Sequence, residues 1–314
     1  MNKRISFYLM VLLILCCCAC GANETSAQIS LNDSITIDDY ADIKLEYIFF
    51  SDTLYSPNRN SIYQYYENQN SSMEFVDFIF SFKNISNSNI DIDSSILLSI
   101  EGDGNRYEPY ATLLEGNYGQ DLDSYGQIIP LQTTKIHCTA LIPKELNTFS
   151  AKFSINNKSY LMNVDKENIN MDIKDLKVGE KLEAADFATI SITDIGYRNK
   201  IEPSNTSGFY SYYEPENQND SFLVIEIDAK NIGKNEIDID QVCSGVAIYD
   251  GLYEYVSMVI AEDKDYTISN YVDIKPLDTK KIYLCFEIPN ETKEMNGKIK
   301  FYFGEKYYFI NILK

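Results

Sequence analysis

The sequence predicts an all-β fold: two tandem immunoglobulin-like antiparallel β-sandwich domains after a lipoprotein signal peptide. Three observations predict it: a stretch of alternating apolar and polar residues occurs twice, its flanking segments repeat with it, and helical periodicity is weak throughout. The predicted division is a signal peptide over residues 1–19, a tether over 20–28, sandwiches over 29–164 and 175–314, and a linker over 165–174. Each sandwich is long enough to bury a core of its own.

The repeated stretch is Phe75–Asp93, and its twin is Phe222–Asp240. The two copies share Lys-Asn-Ile and then Ile-Asp-Ile-Asp at the same offset. In each copy apolar and polar residues alternate, which is typical of a strand with one face on a core and the other in water. Turn-forming residues follow before the alternation resumes, so each copy is expected to form a β-hairpin. The acids expected on the solvent faces are Asp77, Asp91, Asp93, Glu226, Asp228, Asp238 and Asp240.

The segments around this stretch repeat as well, which favours tandem domains over a solenoid of many short repeats. Strands are predicted at Thr133–Ile142 and at Lys280–Ile288, and each is followed by a proline. Closing hairpins are predicted from Phe149–Ile155 with Ser159–Val164, and from Lys298–Phe303 with Tyr307–Leu313. Short strands separated by turn-rich segments are typical of a sandwich.

The N-terminus is typical of a bacterial lipoprotein. A basic start, Met1–Arg4, precedes the apolar run Ile5–Leu15, which is too short to cross a bilayer. Ala19-Cys20-Gly21 resembles a lipobox, and this resemblance implies that Cys20 becomes the lipidated first residue. The usual Leu three places earlier is replaced by Cys, so Cys17 and Cys18 are alternatives, as is an uncleaved anchor or a signal peptide without lipid. The predicted location is the extracellular face of the cell membrane, attached through the N-terminal lipid.

The charge excludes some partners. The chain has 27 basic and 47 acidic residues; without Lys3 and Arg4, which leave with the signal, its net charge is −22. Such a chain is not expected to bind nucleic acid, and anionic lipids and wall polymers repel it. The lipid must therefore supply the membrane attachment.

Four of the seven cysteines lie in or beside the signal, which leaves Cys138, Cys243 and Cys285 in the folded part. Three is an odd number, and no Cys-x-x-Cys occurs, so buried free thiols are expected rather than a disulfide framework. A bond between Cys243 and Cys285 stays open as the alternative.

The sequence offers little for catalysis. His137 is the single histidine and lies in an alternating segment, so a structural strand residue is expected. Gly-x-Ser-x-Gly, His-Glu-x-x-His and P-loop motifs do not occur. We therefore expect no enzyme activity and no cofactor, and the open alternative is a cell-wall or polysaccharide hydrolase that uses paired carboxylates.

Two acidic segments, Asn89–Asp93 and Asp121–Gly126, superficially resemble calcium loops. Neither has glycine at the sixth place with glutamate at the twelfth, so solvated acidic loops are expected and no metal site is predicted. Weak surface calcium binding is the alternative.

Tyrosine clusters before the repeated stretch are the candidate binding residues: Tyr63, Tyr65, Tyr66, Tyr210, Tyr212 and Tyr213. Exposed tyrosines combine apolar area with a hydrogen-bonding tip, which suits recognition of an extracellular protein or glycan. The competing interpretation is structural: Tyr63 and Tyr65 pack on a sheet face, and Tyr66 ends a strand.

The layout resembles a known group. It has a polar tether, a Val178-Gly-Glu opening, strands that end Lys83-Asn-Ile-Ser and Lys230-Asn-Ile-Gly, and a Pro-Leu-containing turn before a strand that ends in Ile-Pro. These features resemble Gram-positive lipoproteins with tandem uncharacterised immunoglobulin-like domains of the "immunoprotective extracellular" type. The glycine usual in the turn is here Leu131-Gln132 and Leu277-Asp278. The resemblance implies no catalytic residues. The predicted function is a non-enzymatic binding or spacer role at the cell envelope.

Overall fold

The computed structural model describes residues 26–58, 65–116, 119–263 and 267–312. Within them the chain forms two sandwiches, each built from a five-stranded and a six-stranded sheet. The predicted fold class, two tandem immunoglobulin-like antiparallel β-sandwich domains, is confirmed.

The strands of the first sandwich are β1 (Ala27–Gln28), β2 (Ser34–Ile37), β3 (Ala41–Ser51), β4 (Thr53–Tyr55), β5 (Tyr65–Glu67), β6 (Met73–Asn84), β7 (Ile90–Asp91), β8 (Leu97–Gly102), β9 (Asn105–Tyr107), β10 (Pro109–Glu115), β11 (Leu122–Asp123), β12 (Gln127–Ile128), β13 (Thr133–Pro143), β14 (Thr148–Ile155) and β15 (Lys158–Asp165). Its sheets have the orders β1-β15-β14-β8-β9 and β11-β10-β13-β6-β3-β2, with small β7–β12 and β4–β5 pairs beside them.

The strands of the second sandwich are β16 (Asp175–Leu176), β17 (Lys181–Ala184), β18 (Ala188–Arg198), β19 (Asp220–Asn231), β20 (Ile237–Asp238), β21 (Ser244–Tyr249), β22 (Tyr253–Val256), β23 (Met258–Glu262), β24 (Ile268–Ser269), β25 (Asp273–Ile274), β26 (Thr279–Pro289), β27 (Gly297–Phe303) and β28 (Lys306–Ile312). The orders are β16-β28-β27-β21-β22 and β17-β18-β19-β26-β23-β24, with a β20–β25 pair. The two domains therefore share one topology.

Helical structure in the described residues is limited to short turns. The α-helical turns are Ile92–Ser95 and Ile239–Val242, and the 3₁₀ turns are Lys166–Asn168 and Asn290–Glu294. Across the described ranges, the helices are all too short to traverse a bilayer.

The cores lie between the two sheets of each sandwich. Alternate residues of β6 (Val76, Phe78, Phe80 and Phe82) point into the first core, as the sequence pattern predicts. Leu223, Ile225, Ile227 and Ala229 of β19 do the same in the second. The closing hairpins are confirmed, since β14 pairs with β15 and β27 with β28 in antiparallel register.

The predicted hairpins in Phe75–Asp93 and Phe222–Asp240 are wrong. Strand β6 pairs with β3 and β13, whereas β7 pairs with β12. The buried side chain of Asn84 explains the course of the chain, because its amide donates to the carbonyls of Ser88 and Ile128 and holds the turn against the β12 segment. Asn231 repeats this arrangement in the second domain. Each stretch is therefore a crossover out of the large sheet.

The expectation that the repeated acids lie in water holds for some and fails for others. Asp91 and Asp93 are exposed, but Asp93 lies in the helical turn Ile92–Ser95 rather than in a continuing strand. Asp238 and Asp240 are half-buried. Asp77 is 7% exposed, because the outer face of β6 is covered instead of meeting solvent.

In both domains a glycine faces an aromatic residue on the neighbouring strand, but the strand that carries the glycine differs between the domains. In the first domain Gly102 lies against Phe149: a Cβ on Gly102 would be 3.1 Å from the Cβ of Phe149. In the second domain the pair is reversed, with Tyr249 directly opposite Gly297. In the second domain the Tyr249 ring lies in the space above Gly297, whereas in the first domain the side chain of Leu146 comes nearest to the space above Gly102.

Candidate functional site

The two sandwiches contact each other through the outer face of the β3–β6–β13 sheet and the β27–β28 hairpin. Ile79, Tyr302 and Tyr307 are buried at this junction. The ring of Tyr307 lies 5.1 Å from that of Tyr47 and 4.9 Å from that of Phe49, both in edge-to-face geometry. Such pairs add to the stabilisation from burial of apolar area.

A line of buried polar groups crosses the junction. His137 on β13 contacts Asp77 on β6 through Nδ1, with 2.8 Å to Oδ2, and Glu115 on β10 through Nε2, with 3.1 Å to Oε2. Tyr302 of the second sandwich donates its hydroxyl proton to Oε1 of Glu115 at 2.6 Å. The four side chains therefore form one hydrogen-bonded network, Asp77–His137–Glu115–Tyr302, which we name the junction network.

The electrostatics of the junction network favour a charged imidazole. Burial alone would favour the neutral ring, but the charge of Asp77, with hydrogen bonds to Asp77 and Glu115, raises the pKa of His137 to about 10. Burial, followed by the charge of Glu115, raises the pKa of Tyr302 well above its usual value, so its hydroxyl stays a donor. Both imidazole nitrogens make hydrogen bonds and the ring is buried within β13, the strand in which the sequence places it.

The corresponding face of the second domain carries different chemistry. Val224 and Tyr283 stand where the first domain has Asp77 and His137, and Glu226 stands where it has Ile79. Glu226 forms ion pairs with Arg198 and, at 3.1 Å, with Lys281. The first domain therefore buries an acid and a histidine at these positions, whereas the second buries Val224 and Tyr283 there and carries ion pairs at Glu226.

Part of this outer face is covered in both domains by a segment between two long strands, β3 and β6 in the first domain and β18 and β19 in the second. In the first domain Leu54 pairs with Tyr66, and in the second Ile201 pairs with Tyr213. Tyr66 and Tyr213 pack on the apolar clusters beneath them. These two predicted binding residues thus anchor the covering segments.

The neighbouring tyrosines point outward. Tyr65 is 54% exposed and Tyr212 is 46% exposed, and they occupy equivalent positions. The structural interpretation offered from the sequence therefore has the wrong assignment, because Tyr65 is exposed and Tyr66 packs. Tyr63 and the predicted lipidation site Cys20 lie outside the described residues.

The covering segment of the second domain, residues 199–219, carries an aromatic group that we name the aromatic loop. Phe209 is 99% exposed. The rings of Tyr210 and Tyr212 have centroids 6.0 Å apart, and the Nζ atom of Lys200 lies 3.7 Å from the centroid of Tyr212. Glu202 accepts a hydrogen bond from the Tyr210 hydroxyl at 3.0 Å and pairs with Lys200 at 2.8 Å.

Hydrogen bonds attach the aromatic loop to the domain beneath it. Ser204 donates from its backbone nitrogen and hydroxyl to Glu262. The hydroxyl of Ser211 donates to the carbonyl of Ile268 and accepts from its nitrogen. Near its end, the nitrogen of Glu216 donates to Glu287. The exposed rings are therefore presented from a fixed backbone.

Sequence reasoning missed several residues of these two regions: Asp77, Glu115, Tyr302, Lys200 and Phe209. Asp77 interrupts the apolar residues of β6 in the first copy where the second has Val224, and that difference between copies is the signal that could have found it. Tyr302 differs between the copies in the same way, since Ser154 occupies its position in the first domain, but neither difference shows which residues become partners.

Thiols and acids elsewhere offer no further centre. Cys138, Cys243 and Cys285 are free and buried, as expected, and Cys243 and Cys285 belong to different apolar clusters. In the described ranges, with their gaps at 59–64, 117–118 and 264–266, the His, Cys, Asp and Glu side chains form no group of three or more able to hold a metal ion.

Comparison with known proteins gives structural likeness alone. No family model matches the chain, and neither does any curated protein. An uncharacterised β-sandwich protein from Clostridium difficile is 25% identical with a TM-score of 0.43, covering 46% of this chain and 98% of its own. A conserved hypothetical protein from Bacillus anthracis is 18% identical with a TM-score of 0.31, over 43% of this chain and 94% of its own.

A third solved structure is a candidate lipoprotein from Bacillus subtilis, 10% identical with a TM-score of 0.29. The match covers 46% of this chain and 41% of that protein. The structures similar to this chain thus include uncharacterised β-sandwich proteins and a candidate lipoprotein from Gram-positive bacteria. Their low TM-scores give no basis for transferring a function.

Proposed function

We propose that the protein is a non-enzymatic, lipid-anchored protein of the extracellular membrane face, and that it binds an extracellular partner through the aromatic loop. The observation that carries this proposal is Phe209, a fully exposed ring on the loop that also holds the Tyr212–Lys200 pair and that hydrogen bonds attach to its domain. Large exposed rings cost free energy in water and gain it when a partner covers them.

The partner we propose is a protein with a basic surface. The mature chain carries a net charge of −22, which attracts cationic surfaces and speeds their association. Phe209 has no hydrogen-bonding group, and one face of Tyr212 is already occupied by Lys200, so the loop offers apolar ring surface with few free polar groups to bind the hydroxyls of a sugar. If the aromatic loop binds a glycan, the proposal of a protein partner is wrong.

The anchor rests on the sequence around Cys20. The substitution Cys20→Ala is expected to release the protein from the membrane fraction and to remove the lipid mass from its mature N-terminus. An unchanged membrane fraction and an N-terminus of unmodified mass in the natural chain would contradict the anchor.

The binding surface can be tested by photo-crosslinking on intact cells. A photoreactive amino acid at position 209 is expected to give discrete protein adducts, and Tyr212→Ala in the same chain should reduce them at least several-fold. The matched control position is Val178, which is 53% exposed in the same domain but lies outside the aromatic loop. Equal adducts from both positions would contradict the proposal.

Two rival functions give different results. A purely structural spacer predicts no specific adduct from position 209, with or without Tyr212. A carboxylate-dependent hydrolase predicts release of soluble fragments from purified peptidoglycan or polysaccharide, lost on substitution of one Asp or Glu. Binding of the intact chain to purified peptidoglycan, lost in Tyr212→Ala, would indicate the glycan instead of the protein.

A further inference from the structure

A small cavity lies at the junction of the two sandwiches, on the Asp77 side of the junction network. Its volume is about 40 Å³. It is lined by Ser51 at the end of β3, by the covering segment of the first domain, including Ser56, by Asp77 of β6, and by Lys300 and Tyr302 of β27. Both domains therefore contribute to its wall.

Two buried polar atoms in this wall have no hydrogen-bond partner among the described residues. They are Oδ1 of Asp77 and Oγ of Ser56. Asp77 is 7% exposed and Ser56 is fully buried. An unmade hydrogen bond at a buried polar group costs about 1–3 kcal/mol, and more when the group is charged. A carboxylate that already accepts from His137 on one oxygen therefore needs a donor for the other.

We propose that this cavity is a structural water site, in which ordered water donates to Oδ1 of Asp77 and hydrogen-bonds the hydroxyl of Ser56. A volume of about 10–15 Å³ suffices for one water molecule, so the cavity has room for more than one. Water suits the wall because it can donate to the carboxylate and also accept from a hydroxyl.

A metal cation suits the wall less well. The wall brings a single carboxylate, and Lys300 lines the same cavity with a positive charge. Cations such as Ca²⁺ take six to eight oxygen ligands, whereas the orphaned oxygens here number two. The proposed water extends the hydrogen-bonded path from Ser56 through Asp77, His137 and Glu115 to Tyr302, and the tyrosine hydroxyl is the step of this path that crosses between the domains.

The test is a high-resolution crystal structure of the mature chain. The expected result is density for water at hydrogen-bond distance, about 2.6–3.2 Å, from Oδ1 of Asp77. An empty cavity would overturn the proposal. So would an occupant at about 2.3–2.6 Å with several oxygen ligands, because those are cation distances.

Ser56→Ala and Ser51→Ala form a matched pair of variants. Both serines line the cavity, but the hydroxyl of Ser51 already donates to the carbonyl of Thr53 at 2.8 Å. Oxygen-17 relaxation dispersion, which counts long-lived buried waters in solution, should show a loss in Ser56→Ala and no loss in Ser51→Ala. Equal counts in the natural chain and both variants would contradict the site, and the crystal structure of the natural chain decides the question if Ser56→Ala fails to fold.

Discussion

Tyr302 donates a 2.6 Å hydrogen bond to Glu115, so a residue near the C-terminus of the chain completes a buried network of the first domain. Gly119 makes room for the tyrosine: a Cβ there would lie 2.7 Å from the hydroxyl, and the backbone φ of +73° is one that glycine adopts without strain. The first domain has Ser154 at the position of Tyr302. The tyrosine of this contact is therefore particular to the second copy of the repeat.

Tyr302→Phe should destabilise the protein by about 1–3 kcal/mol, because it leaves one oxygen of buried Glu115 without its donor while keeping the ring. Urea unfolding of the mature chain measures this change. The control is Tyr253→Phe, which removes a hydroxyl from a half-exposed ring and should change the free energy of unfolding by less than about 0.5 kcal/mol. Equal small effects in both variants would show that the junction hydrogen bond does not contribute.

His137 should make stability depend on pH. Its pKa is about 10 in the folded chain against 6.5 ordinarily, so its stabilisation is fully present below pH 6.5 and is lost as the pH rises through 10. The difference in unfolding free energy between the natural chain and His137→Gln should therefore shrink between pH 6 and pH 10. Taking this difference cancels the titration of groups that both proteins share. A difference that stays constant would contradict a charged imidazole.

Substitution of His137 alone should destabilise the protein more than combined substitution of Asp77 and His137. His137→Tyr leaves the carboxylate of Asp77 buried without its cation, a loss of about 3–5 kcal/mol. Asp77→Val combined with His137→Tyr reproduces Val224 and Tyr283 of the second domain and removes that carboxylate. The double variant should recover part of the lost stability in urea unfolding. A double variant as unstable as the sum of its single variants would refute the coupling.

Two glycines of the second domain should respond differently to alanine. A Cβ at Gly297 would lie 2.7 Å from Ile312 and 2.8 Å from the ring of Tyr249, so Gly297→Ala should cost about 1–3 kcal/mol through overpacking. Gly196 has open space around the same position and should tolerate alanine. Thermal unfolding of both variants measures the contrast. Equal melting temperatures would contradict the tight contact at Gly297.

Asp240→Asn should stabilise the protein at neutral pH. Burial, followed by the charges of Asp238 and Asp273, raises the pKa of Asp240 from 3.8 to about 6. The folded state thus favours the protonated acid, and stability present below pH 3.8 is lost as the pH rises through 6. The variant should have a higher melting temperature than the natural chain at pH 7, and the gap should narrow toward pH 4.

Asp93→Asn is the matched control for that experiment. Asp93 is the equivalent acid of the first domain and is exposed, and the nearby Gln127 donates a hydrogen bond to Asp91 where the second domain opposes Asp238 with Asp273. This variant should leave the melting temperature unchanged at both pH values. A gain equal to that of Asp240→Asn would mean that the effect is general charge reduction.

Local patterns in the sequence predicted the strands because their cause is local. Alternation along β6 and β19 follows from the twofold repeat of a strand with one face on a core. The hairpin prediction failed because turn-forming residues indicate that the chain turns but do not indicate which strand it pairs with afterwards. The side-chain amide of Asn84 donates a hydrogen bond to the carbonyl of Ile128, a residue far along the chain, and this contact holds the crossover in place.

The sequence predicted the position of the aromatic loop but not which of its rings are exposed. The repeated tyrosines marked the right segment, but whether a ring faces water or packs depends on what lies beneath it. Tyr213 packs on an apolar cluster while Tyr212 beside it is exposed, and the sequence treats the two alike. Phe209 has no counterpart in a repeated motif, so its exposure was visible only in the structure.

The sequence by itself determined two copies of one β-sandwich with their strands and cores, because periodicity and turns are properties of neighbouring residues. It also predicts a lipid attachment from a local cleavage motif. The tertiary structure decided the junction. The alternation along its strand predicts that Asp77 faces solvent, yet Asp77 is buried because another part of the chain covers that face. Burial and partner choice depend on contacts between residues as distant as Glu115 and Tyr302, which no local pattern records.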